Sequence, residues 1–147
     1  MLEVVTATMD DIDALMPLVA GYRTFYGQKN DAFSERAFIV HRIRTGSSHI
    51  LIARGGGEAL GFAQLFPFFS TVRLGPALIL EDLFVEADAR KRGVATALLD
   101  AALTHAHSIN ARVMFLETAV DNERAQRVYE RNGWTREAQF YKYNAPL

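Results

Sequence analysis

Two periods of apolar positions alternate along this chain, and the switches between them mark its elements. Leu2 to Thr6 reads as a short strand with β-branched Val4 and Val5. Thr8 or Asp10 can cap a helix running to about Tyr26. Its stripe of Ile12, Leu15, Met16, Val19 and Tyr22 follows helical spacing, and Pro17 predicts a kink or a break. Ser34, Arg36, Phe38, Ile39 and Ile43 suggest a second helix closed by Gly46. Ser48 to Arg54 reads as a strand, Gly55-Gly56-Gly57 as a hairpin turn and Ala59 to Phe68 as the partner strand. A loop from Ser70 to Pro76 leads into Ala77–Val85, whose few polar positions fit a strand covered on both faces. Gly93 to Ser108 is helical, with Val94, Ala97, Leu98, Ala101 and His105 on one stripe that Leu99 and Leu103 broaden. Arg112 to Thr118 is a strand. Asn122 to Asn132 is a helix ended by Gly133, and Glu137 to Asn144 is a last strand. The order βααβββαβαβ predicts an α+β fold, with helices packed on a mixed sheet.

Composition narrows the class. At 147 residues one domain spanning 1–147 is expected. Half the residues are apolar, enough for a core and against disorder. A formal net charge of -1 gives no general grip on nucleic acid. The absence of cysteine removes a disulfide framework, a thiolate metal site and a cysteine nucleophile, and fits a reducing cytoplasm. The N-terminus lacks a basic-then-apolar leader pattern, and no apolar run reaches about 18 residues, so no membrane association is expected. His105 and His107 diverge around a helix and His41 and His49 stand apart, so no metal site is expected.

Three segments carry chemistry. Arg90-Lys91-Arg92-Gly93 followed by small Ala95 makes a basic helix start, where free amides and the helix dipole favour an anion. The segment is neither a Walker loop nor a three-glycine dinucleotide fingerprint. Glu81 and Asp82 interrupt an apolar strand. They point to opposite faces unless a bulge intervenes, and each either anchors a cation or handles a proton. Asn122 is a good N-cap, and Tyr129, two helical turns on, lies on nearly the same face. The tyrosine is either core or a proton donor. Tyr22, Tyr26, Phe68 and Phe69 either line an acceptor groove or form aromatic core.

In this order the segments resemble the GNAT superfamily of N-acetyltransferases. Its pattern [Arg/Gln]-x-x-Gly-x-[Gly/Ala] is met by Arg90, Gly93 and Ala95, with Tyr129 and Gly133 supplying a downstream Tyr-x-x-x-Gly. Leu80-Glu-Asp-Leu-Phe-Val85, Gly21-Tyr-Arg-Thr-Phe-Tyr-Gly27 and Phe69-Ser-Thr71 are similar to the branch holding spermidine/spermine, thialysine and small histone/polyamine acetyltransferases. The resemblance implies a single domain with a mostly antiparallel sheet of about six to seven strands, about four helices and a splayed central strand pair. It implies acetyl-coenzyme A in the gap between the strands ending near Val85 and Thr118. The pantetheine arm would pair with Leu83, Phe84 and Val85 like an added strand, and the pyrophosphate would lie on Arg90, Lys91, Arg92, Gly93, Val94, Ala95 and Thr96. Asn122, Arg124, Ala125 and Tyr129 would complete the cofactor site. Tyr129 matches the general acid. Glu81 matches the residue that binds or deprotonates the amine, with Tyr22, Tyr26 and Asp82 beside the acceptor. Lys91-Arg92 departs from the commoner Gly-Gln or Gly-Phe and makes the turn more basic.

With no cysteine and no Gly-x-Ser-x-Gly elbow, direct transfer to a primary amine in a ternary complex is expected over an acyl-enzyme. The acceptor classes are a polyamine, an amino acid or a protein amine. Arg73 or Arg23 would suit a carboxylate-bearing acceptor. A non-catalytic acyl-coenzyme A sensor is the alternative, and the presence of Glu81, Asp82 and Tyr129 together speaks against it. A homodimer is expected, with apolar surface offered by Phe62–Phe69 and Phe140–Tyr143.

Overall fold

The computed structural model describes Met1–Leu147 as two compact units, Met1–Glu117 and Thr118–Leu147. In the first, the chain runs β1 (Leu2–Thr6), α1 (Ile12–Phe25), α2 (Ala32–Thr45), β2 (His49–Gly55), β3 (Glu58–Ser70), β4 (Gly75–Val85), α3 (Val94–Ser108) and β5 (Met114–Phe115). The sheet order is β1-β2-β3-β4-β5, antiparallel except for the parallel β4–β5 pair. The second unit holds α4 (Glu123–Arg131). This is an α+β fold with a five-stranded mixed sheet and four α-helices, which corrects the expectation of about six to seven strands. Glu137 to Asn144 forms no strand, and β5 is confined to two residues of the expected Arg112–Thr118.

Local chemistry explains the boundaries. The Thr8 hydroxyl accepts from the Asp10 amide while Asp11 reaches back to the Thr8 amide, a reciprocal cap leading into α1. Asp31 caps α2, and Gly46 ends it with a left-handed residue at φ 63°. α1 continues through Pro17 without the expected break. The carbonyl that the ring leaves without its helical donor belongs to Asp13, and both residues lie on the exposed side of the helix, open to solvent.

The core against α1 and α2 is built from Ile12, Leu15, Leu18, Val19 and Ile39 with Ile50, Ile52 and Phe62 of the sheet. Beneath α2, buried Glu35 receives Arg23 at 2.6 Å, which joins the two helices. α3 packs across β3, β4 and β2, burying Val94, Leu98, Leu99, Ala102 and Ala106. The expected stripe shifts, since Ala102 and Ala106 are buried where Ala101 and His105 are partly open.

Candidate active site

The central feature is a register break between β3 and β4. Gln64 opposes Asp82 and the next residue, Leu65, opposes Leu80, so Glu81 is an extra residue on β4. Glu81 and Asp82 therefore do not simply alternate between faces. Glu81 is exposed, whereas Asp82 is partly covered and lies opposite Gln64. A bulge residue drops out of the ladder, and here the Tyr22 hydroxyl donates to the Glu81 carbonyl at 3.1 Å. Tyr22 packs edge-on against Tyr26, Phe62 and Phe84, with centroids 5.1, 5.8 and 6.2 Å away. So Tyr22, Tyr26, Glu81 and Asp82, picked out from sequence, do meet, at the end of α1 over β4.

Burial pushes the Asp82 carboxyl above the usual carboxylate range. Hydrogen bonds from Gln64 and Tyr22 pull the other way, and the Glu81 charge adds to the rise. Burial, then the Asp82 charge, push the Tyr22 phenol upward, so it remains a proton donor. Asp82 receives Gln64 Nε2, and Gln64 Oε1 in turn accepts from the Ser48 hydroxyl at 2.7 Å. Ser48 and Gln64 were not among the residues read as functional. The available signal was one amide inside the apolar run Leu60–Phe66.

Downstream, β4 pairs with β5 only at Leu78–Met114 and Ile79–Phe115. From Leu80 to Val85, including Leu83 and Phe84, β4 has no strand partner on that side. At the strand's end the Arg90 guanidinium donates to the Val85 carbonyl at 3.2 Å, tying the basic turn to β4. Lys91 and Gly93 are left-handed, at φ 63° and 80°. No side chain caps α3, its first turn carries no acidic residue, and a Cβ at Gly93 would meet nothing within 4 Å. The first amides of α3, from Val94 through Ala95 and Thr96, thus sit behind open space flanked by exposed Lys91 and Arg92. That arrangement fits a phosphate-bearing ligand.

In the second unit Asn122 caps α4, its side-chain oxygen accepting from the Ala125 amide at 3.2 Å. Arg124 lies on the exposed first turn, and Tyr129 packs near Trp134 at 6.2 Å. Two further expectations change. Arg23, considered for an acceptor carboxylate, is already bound by Glu35 and the Lys29 carbonyl. His49 and His105, read as separate, stack face to face at 3.6 Å, with Thr6 Oγ1 3.2 Å from His49 Nε2. No group of three or more His, Cys, Asp or Glu residues could hold a metal, and no helix is long and apolar enough to cross a membrane. Phe68 and Phe69 are exposed on the hairpin. Phe140 and Tyr143 are exposed outside any strand, so a last strand does not supply the expected dimer surface.

The model of the acetyltransferase (GNAT) family matches residues 14–134, most of the chain. This protein belongs to that family. Among its relatives, an uncharacterized N-acetyltransferase of Bacillus subtilis (strain 168), YhfO, is 39% identical over 93% of this chain and 92% of its own. A probable acetyltransferase of Haemophilus influenzae is 33% identical over 74% of this chain and 75% of its own. Among solved structures, the crystal structure of a probable acetyltransferase is 39% identical, with a TM-score of 0.93 over 99% of this chain and 97% of that one. The relatives support acetyltransferase activity for this GNAT member. Their names do not place it in the polyamine or histone branch.

Proposed function

We propose that this GNAT protein moves an acetyl group from acetyl-coenzyme A to a primary amine by direct transfer in a ternary complex. The unpaired edge of β4 from Leu80 to Val85, ending at an uncapped basic turn, is the observation that carries the reading. An extended arm with a phosphate at one end suits that edge and turn together. Backbone groups of Leu83, Phe84 and Val85 would pair with the arm. Lys91, Arg92 and the amides of Gly93, Val94, Ala95 and Thr96 would hold the phosphates, with Arg90 keeping the turn on the strand end. On the family's pattern alone, Asn122, Arg124, Ala125 and Tyr129 are proposed as further cofactor-binding residues.

Acetyl-coenzyme A, when bound, supplies the acetyl group as a thioester. The protein's task is the proton. An alkylamine with a pKa near 10.4 is neutral in only about one part in 2,500 at pH 7. The carboxylates at the bulge attract the ammonium form and receive its first proton, directly or through water, and pass it to solvent. The amine nitrogen would then form the C–N bond as the C–S bond breaks. On the family's pattern, Tyr129 would give its phenolic proton to the leaving sulfur and recover one from the nitrogen, so charge and protons balance. Tyr22 and Tyr26 flank the acceptor. Exposed Tyr26 and Glu81 leave room for an aliphatic or peptidyl amine.

The test is thiol release from acetyl-coenzyme A in the presence of polyamines, amino acids and peptides, together with calorimetric titration of coenzyme A. Binding with amine-dependent thiol release is expected. Binding without release for any amine would replace the enzyme with a non-catalytic acyl-coenzyme A module, and no binding would remove the cofactor assignment.

A further inference from the structure

We infer that Gln64 is a positioning residue that fixes the Asp82 carboxylate at the acceptor end of the site, and that Ser48 fixes Gln64. The inference rests on the N-acetyltransfer reading. Gln64 is 1% exposed, one of two buried polar or charged residues in the chain; the other is Glu35, which holds Arg23. A primary amide in such surroundings is costly unless bonded, and an apolar residue would serve packing between Phe62 and Leu65 better. Both ends of the amide are used, linking the residue before β2 to β3 and β4. Ser48, just before β2, donates to Oε1, and Nε2 donates to Asp82 of β4. A hydroxyl donor on one side and a carboxylate on the other leave the amide one orientation.

The same row explains which of two adjacent carboxylates is held. Asp82 and Phe84 oppose Gln64 and Phe62, so all four lie on the sheet face that packs on α1. There the groups around Asp82 are Tyr22 of α1, with Tyr26 just past the helix end beside it, Gln64 from β3, and Glu81 of its own strand. Asp82 is therefore the carboxylate with a fixed place, and it takes the first proton of the acceptor ammonium. Glu81, exposed on the bulge, attracts the cation. An amide cannot relay protons without becoming an imidic acid, so Gln64 acts through Asp82 and not as a conduit.

The experiment is a carbon-13 NMR titration of the Asp82 carboxyl in the full chain, assigned with Asp82→Asn and repeated in Gln64→Met and Ser48→Ala. Losing a hydrogen bond that favours the charged form raises the carboxyl pKa, by about one to two pH units for a charge-assisted bond. We expect that upward shift in Gln64→Met and a smaller one in Ser48→Ala. With an acceptor found by the thiol-release screen, the acidic limb of kcat/KM should move up by the same amount. A merely structural glutamine would lower the melting temperature and leave the titration in place. An Asp82 titration that stays put in folded Gln64→Met overturns the inference. If that variant does not fold, an unchanged titration in Ser48→Ala does so. A shifted titration in a protein that acetylates no amine would overturn the enzymatic reading and retain the positioning.

Discussion

Replacing Gly61 with alanine tests how closely β3 must approach the end of β4. Gly61 is buried opposite Val85. A Cβ there would stand 2.7 Å from the Phe84 carbonyl oxygen, 3.2 Å from Val94 Cγ1 and 3.3 Å from Val85 Cα. Carbon–oxygen contacts between strands rest at about 3.3–3.6 Å, so the two strands must part by about 0.6–0.9 Å. The nearest atom is backbone and cannot rotate away. Overpacking of this kind costs about 1–3 kcal/mol. The unfolded chain loses freedom when glycine becomes alanine, which offsets up to about 1 kcal/mol. The net expectation is a loss of about 1–2 kcal/mol, or a melting temperature lower by about 3–6 °C at this chain length. Urea unfolding followed by circular dichroism, with an unchanged slope, would measure it. A variant at least as stable as the parent would refute the close approach.

Three further outcomes follow from other parts of the molecule. His49 is held down to about 4 from 6.5, by burial first and the His105 charge second. The unfolded chain then binds more protons between those values, so this contribution is full above pH 6.5 and is lost as pH falls through about 4. The ring is half-buried, which discounts the effect to about 1–2 kcal/mol; urea midpoints of parent and His49→Gln should converge at low pH, and a constant gap would contradict the assignment. Glu35→Ala leaves Arg23 without its carboxylate, and because that arginine can reach water the loss should be about 1–2 kcal/mol, below the usual range for a buried pair; a melting temperature within 1 °C of the parent would show that the pair contributes nothing. Tyr129→Phe should lower turnover at least about tenfold while leaving the calorimetric affinity for coenzyme A within about twofold; an unchanged turnover with chemistry rate-limiting would remove the tyrosine from the reaction.

Much of the fold was legible because its signals are local. Thr8, Gly46 and Asn122 mark helix ends through bonds spanning three or four residues, whereas the Asp31 cap of α2 went unread. The paired run of β2 and β3 carries its own turn. What failed to show depends on partners distant in sequence. Phe140–Tyr143 reads as strand-forming, but a strand exists only where an edge receives it. Pro17 reads as a breaker, and only its exposed face makes the lost bond tolerable. The candidate site divided in the same way. The Arg90–Thr96 turn was visible as a motif. The covered, hydrogen-bonded place of Asp82 beside an exposed Glu81 was not, because it follows from the register of β4 on β3 and from a glutamine on the neighbouring strand.

That register makes β4 two strands spliced out of phase. Leu78 and Leu80 oppose Pro67 and Leu65, while Asp82 and Phe84 oppose Gln64 and Phe62. Even-numbered positions before Glu81 face one layer of the protein, and even-numbered positions after it face the other. Without Glu81, Leu80 and Asp82 would be neighbours opposite Leu65 and Gln64, as an unbroken ladder requires. Pairing alone therefore has no use for the residue. What Glu81 adds is a change of phase: it lets one continuous segment contribute aliphatic side chains to the layer under α3 and a carboxylate to the layer under α1, without a loop between them.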